Sequence, residues 1–331
     1  RGYAMRKLLL GTTALAAAAT LTANAALADV SISGAHEFRY NSRSSNAAAL
    51  DGTTFDTDGE IAFKFSNKTD SGLTISHEVQ LMSDGGDTEI DESFLTIEGG
   101  FGKLKLGRDD GVGEDFGIAP GDIIAEETGT TATSATIATN SDIDGMSGNA
   151  DKVAYHLPAM GGLTAGVSFA DSGTNTGTDS TAYGFRYTTT AAGSSVTIGG
   201  ASATTEVSGG TDKDSQNLGI KIVNGPLSFA MSQGIEEAAD ENQEMMGAAL
   251  SYNMGNGMII GAYTVDGDDS LDAGEEYTAS GVEVQYTIAS GLTAVVIVED
   301  YEYKAPSTAD TAGTTTGDSG TNSRLVIKAS F

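Results

Sequence analysis

The chain has 331 residues, with 17 Lys and Arg against 46 Asp and Glu, 44 Gly, 4 Pro and no Cys or Trp. Its net charge of -29 argues against nucleic acid as a partner, because phosphate contacts need a basic surface, and favours cations or cationic solutes. Without cysteine there is no disulfide framework, so an exported chain of this size needs one large arrangement such as a sheet closed on itself.

Met5-Arg6-Lys7, the apolar run Leu8 to Leu21 and the small-residue site Ala26-Leu27-Ala28 have the layout of a secretory signal. The run falls short of the ~20 apolar residues of a spanning helix. The expectation is a signal peptide over 5–28, a mature chain from Asp29, and Arg1 to Ala4 as an over-extended reading frame. No later segment is apolar enough for a membrane helix.

From Asp29 onward the sequence alternates. In "VSISGAHEFRY", Val30, Ile32, His36, Phe38 and Tyr40 share one parity, and Ser31, Ser33, Glu37 and Arg39 the other, the pattern of a strand with one greasy and one wet face. The same period recurs around Ile61 to Phe65 and Leu73 to Leu81, then at Glu92 to Glu98, Gly102 to Gly107, Lys152 to Leu157, Leu163 to Ala170, Thr181 to Thr189 and Ser195 to Ala203. It continues at Asn217 to Val223, Leu227 to Ile235, Glu244 to Asn253, Met258 to Val265, Tyr277 to Ile288, Leu292 to Tyr303 and Asn322 to Phe331. Sixteen strands, an even number, suit a closed antiparallel barrel. Connections alternate between tight turns such as "EGGFG" and "NMGNG" and longer polar stretches such as "NSRSSNAAALDGTTFDTD", Asp266 to Gly274 and Ala305 to Gly320. A soluble β-sandwich also alternates, but has no reason to send every wet face to one lumen. Two strands fit less well: Val295 to Val298 is apolar on both faces, and Met258 to Ala262 is ambiguous.

"GGFGKLKLGRDDGVGEDFG", Gly99 to Gly117, reverses charge abruptly. It is no P-loop, since Gly102-Lys103 precedes Leu104 and Ile97 takes the first-glycine position. The strand at Gly102 to Gly107 is shorter than the ~9–11 residues that span a bilayer, so it should leave the wall near mid-height. The connection that follows, about 109–151, carries ten carboxylates and no Lys or Arg, and long connections of this kind are usually functional. Asp109, Glu114 and Asp115, with Gly111 and Gly113, offer oxygen ligands for calcium. No EF-hand spacing accompanies them, and a solvated acidic loop explains them equally.

These features together resemble the general porins of Gram-negative bacteria. The carriers are "FGKLKLGR" leading into a long loop, "DKVAYHLPAMGGLTAGVSFA" on the return, the hairpin "FKFSNKTDSGLTISHEVQL" and the terminal "RLVIKASF". The resemblance implies an all-β, 16-stranded antiparallel transmembrane barrel over 29–331. It would have short periplasmic turns, long external loops and a third loop folded inward as a constriction. It implies a homotrimer in outer-membrane lipid and lipopolysaccharide, passing small hydrophilic solutes and cations by passive diffusion, with no cofactor. The acidic side of the constriction would be Asp109, Asp110, Glu114, Asp115, Asp122, Glu126 and Glu127. The basic wall would be Arg39, Lys64, Lys103, Lys105, Arg108 and Lys152, with Arg186, Lys221, Arg324 and Lys328 on the same wet parity. Arg108 matches the arginine porins place after this strand, although parity with Leu104 and Leu106 points it outward. Glu60 stands where related porins carry a wall arginine, which favours cation over anion preference. Leu325, Ile327, Ala329 and Phe331 fit the family's C-terminal pattern.

Two other classes remain in view. An outer-membrane barrel enzyme such as a hydrolase would need a base beside a nucleophile, yet only His36, His77 and His156 exist and no G-x-S-x-G or H-E-x-x-H appears. A calcium-binding surface protein would find a second acidic stretch at Asp266 to Glu276, but there is no repeat of fixed period. His36 and His77 share the greasy parity, so a neighbouring subunit is expected to cover them.

Overall fold

The computed structural model describes residues 29–46, 51–82, 89–125, 150–171, 178–207, 212–238, 242–269, 275–304 and 317–331. The expected leader and reading-frame extension, 1–28, lie outside the described residues. Sixteen strands form one closed barrel. They are β1 Asp29–Ser45, β2 Gly52–Lys68, β3 Thr74–Met82, β4 Glu89–Gly99, β5 Gly102–Asp109, β6 Ala150–His156, β7 Leu163–Ala170 and β8 Thr178–Ala191. The second half comprises β9 Ser194–Val207, β10 Lys213–Asn224, β11 Leu227–Glu237, β12 Asn242–Gly255, β13 Met258–Asp269, β14 Glu275–Ala289, β15 Leu292–Lys304 and β16 Asp318–Ser330. Each strand pairs antiparallel with its sequence neighbours, and β1 with β16 closes the ring from Ala35↔Ser330 to Ser45↔Gly320. Phe331 completes the seam: its N–H donates to Gly34 O at 2.9 Å. Closure leaves no edge, which is the condition for a sheet to cross lipid with every backbone group paired.

The two faces separate as the alternation requires. Val30, Ile32, Phe38, Phe65, Phe185, Tyr187, Ile198, Leu218, Leu250, Val284 and Val296 point outward and are exposed. Residues of the opposite parity along the same strands, among them Glu37, Arg39, Ser215, Asn217, Glu283 and Glu299, point into the lumen and are buried. At one rim most connections are two-residue turns, such as Ala192-Gly193 and Asn256-Gly257, with φ of 52° and 83° and of 52° and 78°. This double positive φ is the type I′ geometry that matches strand twist.

At the other rim the strands run further than alternation indicated. Much of "NSRSSNAAALDGTTFDTD" is strand, with β1 and β2 paired as far as Arg43↔Gly52, and β13 continues to Asp269. Past the hydrocarbon layer both faces of a strand meet water, so the period-2 pattern fades while backbone pairing persists.

The strand that is apolar on both faces finds its reason inside the barrel. Val296 and Val298 face outward, whereas Val295 and Ile297 face the lumen and are wholly buried in a cluster with Ile124, Ala249, Tyr263, Val265 and Val326. Ile124 belongs to the third loop, and the neighbouring Ile123 and Ala125 pack against the same cluster. Part of the lumen wall is therefore a hydrophobic core shared between barrel and loop.

Candidate pore constriction

After β5 the chain turns inward. Helix α1, Val112–Phe116, and one 3₁₀ turn, Pro120–Asp122, follow within the described part of the loop, 110–125. Val112, Phe116, Ile118 and Ile124 are each at most 7% exposed. Burying each against the wall rather than leaving it in pore water contributes roughly 1.5–3 kcal/mol, which offsets the entropy of ordering a long loop.

The wall is shaped to receive this arm. A Cβ on Gly184 of β8 would lie 2.7 Å from Phe116 Cδ2, and one on Gly199 of β9 would lie 2.5 Å from Phe116 O. One on Gly219 of β10 would lie 2.7 Å from Ile118 Cβ, and one on Gly247 of β12 would lie 2.6 Å from Pro120 Cγ. Gly166 of β7 and Gly261 of β13 extend the track toward Phe116 and Ile124. Gly199↔Gly219, Gly219↔Ser232 and Ser232↔Gly247 are direct cross-strand partners, so the small residues form one row across the barrel wall.

Polar side chains fix the arm along the row. Ser168 Oγ accepts from Val112 N at 3.2 Å, and Asn217 Oδ1 accepts from Ile118 N at 3.3 Å. Arg186 Nε donates to Phe116 O at 3.2 Å and its Nη2 to Gly117 O, matching a cation to the carbonyl end of α1. Asp122 Oδ2 accepts from Ala119 N at 3.0 Å, while Oδ1 stands 3.9 Å from both Arg186 and Lys221. Farther along, Glu283 Oε1 accepts from Ala125 N at 2.8 Å and Lys328 Nζ donates to Ala125 O at 3.1 Å. The arm thus crosses the inner wall from β7 round to β16.

On the β4–β6 side, the exposed face of α1 carries Asp115 to the wall. His156 Nε2 meets Asp115 Oδ2 at 2.6 Å, and the His156 and Phe116 rings lie 5.6 Å apart. Burial alone would raise the Asp115 carboxyl. The hydrogen bond from His156 and the charges of Lys105 and Lys103 outweigh it and hold the group below the usual carboxylate range. Lys105 pairs with Asp109 and lies over the Phe94 ring at 4.4 Å.

Several expectations change here. Asp109 ends β5 rather than standing in the loop, and it is 3% exposed beside Lys105. Asp110 and Glu114 are half-buried near it, and Glu126 and Glu127 lie outside the described residues. Arg108, expected on the pore wall, is exposed on the opposite face from Lys105 and Asp109, and donates from Nε to Asp91 O at 3.1 Å. Gly107, at φ +129°, absorbs local strain, but the β4–β5 register runs unbroken from Gly99↔Gly102 to Ser93↔Arg108. Strand parity therefore keeps Arg108 with Leu104 and Leu106 and sets it across from Asp151 on β6. The three calcium candidates also disperse: Asp109 turns to Lys105 and Asp115 to His156. Among the described residues no group of three or more His, Asp or Glu is placed to hold a metal ion.

The basic wall is not a uniform face opposite an acidic loop. Arg39 is held by Glu37 at 2.6 Å and Asp58 at 2.9 Å, with Asp56 at 3.7 Å. Lys328 meets Glu37 at 3.0 Å, and Lys64 meets Glu78 at 3.2 Å. Arg324 Nε donates to Asn41 Oδ1 at 2.7 Å. Lys103 and Lys152 share the lumen parity of Lys105 and His156. Among buried lumen residues nine are carboxylates, Glu37, Asp58, Glu60, Glu92, Asp109, Glu236, Glu283, Glu299 and Asp318, against two bases, Arg39 and Lys328, while Lys64, Lys103, Lys105, Lys152, Arg186, Lys221 and Arg324 share the lumen face less deeply buried; the acidic surplus belongs to the deeply buried layer of the wall. The pairing of His156 with Asp115 and the glycine row were missed in the sequence. The signal was present in the parity of Gly166, Gly184, Gly199, Gly219, Gly247 and Gly261, all on the wet face of their strands.

A closed barrel with an apolar outside, a charged lumen and a loop arm folded within it is the architecture of an outer-membrane channel. The chain matches the Gram-negative porin family over residues 11–306, and it belongs to that family. Among solved structures it is similar to an anion-selective porin from Comamonas acidovorans, at 16% identity and TM-score 0.67, covering 92% of this chain and 100% of that one. A trimer form of OmpT, an outer membrane protein of Vibrio cholerae, is similar at 11% identity and TM-score 0.67, covering 92% and 99%. A mutant of the Rhodopseudomonas blastica porin is similar at 15% identity and TM-score 0.61, covering 91% and 100%. No match was found among the curated proteins.

Proposed function

We propose that the protein is a water-filled, cation-preferring diffusion channel for small polar solutes and ions, working without a chemical step. The observation that carries the preference is the surplus of carboxylates over bases among the buried lumen residues, joined by the loop acids Asp110, Glu114, Asp115 and Asp122. Fixed charge acts over a screening length of ~8–10 Å near physiological salt, comparable to a narrowed pore, and so enriches cations and repels anions there. The Comamonas acidovorans porin is anion-selective by its title; at 16% identity the likeness concerns the fold, and selectivity rests on this chain's own side chains.

A homotrimer fits the outer surface, where His36, His77, Arg108 and Asp151 stand among apolar neighbours. A charged group facing lipid at mid-bilayer costs ~2–4 kcal/mol, and a second subunit over the first strands would remove that cost. Lipopolysaccharide would meet the remaining outer rim. Export by a leader cleaved before Asp29 completes the reading. No cofactor enters it, and calcium is not carried forward because its candidate ligands are engaged elsewhere.

The deciding experiment is the reversal potential of the purified protein in a planar bilayer under a KCl gradient. A cation-selective potential is expected; an anion-selective one refutes the charge argument, and absence of conductance refutes the channel. A heat-modifiable trimer on a gel and a mature mass beginning at Asp29 test assembly and processing.

A further inference from the structure

The lumen charges are ordered along the pore axis as well as around it. On β5, Lys103 and Lys105 stand next to the tight-turn rim, and Asp109 ends the strand toward the loop rim. On β2, which runs the other way, Asp58 and Glu60 lie nearer the loop rim and Lys64 nearer the turn. On β16, Asp318 opens the strand at the loop rim and Lys328 nearly closes it. Chain direction reverses between β5 and the other two, so the order follows position in the barrel. Elsewhere the sense is the same: Arg186 and Lys221 lie toward the turns of β8 and β10, while Glu92, Glu236 and Glu299 lie toward the loop ends of β4, β11 and β15. Arg39, Arg43 and Lys213 stand in the acidic half, but each is paired there with a carboxylate: Arg39 with Glu37 and Asp58, Arg43 with Asp318, and Lys213 with Glu236 at 2.9 Å. Glu78 and Glu98 stand in the basic half, Glu78 at 3.2 Å from Lys64. Lys152, Glu283 and Arg324 lie near mid-strand. None of these reverses the sign of either half.

We infer that the pore is an electrical rectifier: an acidic half toward the loops and a basic half toward the tight turns make it pass more current in one direction than in the other. This rests on the channel reading above and not on its cation preference. At ~3.3 Å per residue and ~40° of strand tilt, Asp58 and Lys64, or Lys103 and Asp109, are about 15 Å apart along the axis. That exceeds the screening length of ~10 Å in ~0.1 M salt, so each half keeps its own field. The acidic half concentrates cations and the basic half anions. With the loop side positive, the applied voltage drives both kinds of ion inward to the boundary between the halves, where they accumulate and conductance rises. With the polarity reversed both are drawn away from that boundary, and conductance falls. The halves are little more than one screening length apart, so the asymmetry should be modest, roughly twofold, and it should fade in ~1 M salt, where the field reaches only ~3 Å from the wall.

The test is the single-channel current of the purified protein in a planar bilayer at equal and opposite voltages in symmetric KCl. The chain has no cysteine, so Thr190→Cys, exposed at the turn end of β8, reports which compartment faces the turns: a maleimide-PEG too large to cross the pore perturbs its current from that side alone. In ~0.1 M KCl the current should be about twofold larger with the loop side positive, and in ~1 M KCl nearly equal at both polarities. Lys64→Gln combined with Lys103→Gln removes charge from the basic half while leaving Arg186 and Lys221 beside the arm, and should bring the ratio toward one. Glu302→Gln, on the outer face of β15, should leave the ratio as it is. Equal currents in the dilute salt, an asymmetry of the opposite sense, or one that persists in the concentrated salt overturns the proposal. So does a wild-type ratio in the double variant, or an equal fall in Glu302→Gln. Should the double variant fail to fold, the sense and salt dependence of the wild-type asymmetry decide alone. Absence of conductance at both polarities would refute the channel reading separately.

Discussion

Gly219 offers a direct test of how the arm is held. A Cβ there would lie 2.7 Å from Ile118 Cβ, 2.8 Å from Ile118 O and 3.0 Å from Ile118 Cγ2. Carbon atoms in contact settle at ~3.5–4.0 Å, so Gly219→Ala must move the arm by about 1 Å, and Gly219→Leu by more. The wall lies behind the substituted residue, so the arm can yield only toward the pore axis. Overpacking of this kind costs ~1–3 kcal/mol, and the bond from Ile118 N to Asn217 Oδ1 is strained with it. Single-channel conductance should therefore fall in the order wild type, Gly219→Ala, Gly219→Leu, with the heat-modifiable barrel intact. Unchanged conductance in a folded Gly219→Leu variant would refute the contact. A rise would show that the arm leaves the lumen rather than narrowing it.

Other consequences can be measured separately. Arg186→Lys keeps the charge but loses the planar fork that serves Phe116 O and Gly117 O; hydrogen bonds to charged groups contribute ~1.5–3 kcal/mol each, so current noise from a loosened arm should rise, and rise further in Arg186→Ala. The Asp115 carboxyl is held below its ordinary value. Its tie to His156 is therefore fully present above the ordinary carboxylate value and is lost only as pH falls through the lowered one; an NMR titration in detergent should place its midpoint below that of an exposed aspartate. Ala192 sits at φ 52°, a conformation that costs an L-residue ~1–2 kcal/mol and that Asn tolerates, so Ala192→Asn should raise the temperature of the heat-modifiable transition. Ile297→Ala should lower it, because the buried Ile297 packs in a core rather than in water and such a truncation costs ~2–5 kcal/mol.

The barrel was legible because its physics is local: a residue's parity along its own strand decides whether it meets lipid or lumen. That rule found all sixteen strands and also placed Arg108 outward, against the family expectation, as the structure has it. It failed where the lumen is not wet. Val295 and Ile297 broke the alternation because their partner, Ile124, comes from a loop far away in the sequence, and no strand period encodes that contact. Strand ends at the loop rim were read short for the converse reason, since Gly52 to Asp58 pairs without an apolar face. The wall acids Glu37, Glu60 and Glu92 could be assigned to the wet face, but their burial depends on which neighbours they meet across strands.

The same neighbours change how the pore's charge is to be understood. A loop of acids facing a wall of bases across water would set up a field transverse to the ion path. Here two of the described loop acids are moored close to the wall: Asp115 by its hydrogen bond with His156, with Lys105 adding its charge, and Asp122 at 3.9 Å from Arg186 and Lys221. A pair in contact acts as a dipole, and its field fades much faster with distance than that of a single charge. These pairs therefore hold the arm in place more than they sort ions. What acts on a passing ion at longer range is net charge, and there the wall carboxylates outnumber the buried bases. Positioning and selectivity accordingly fall to different residues. Arg186→Ala should alter noise with little change in reversal potential, whereas Glu60→Gln should move the reversal potential toward zero with little change in noise. The opposite pattern would mean that the mooring charges and the selectivity charges are one set.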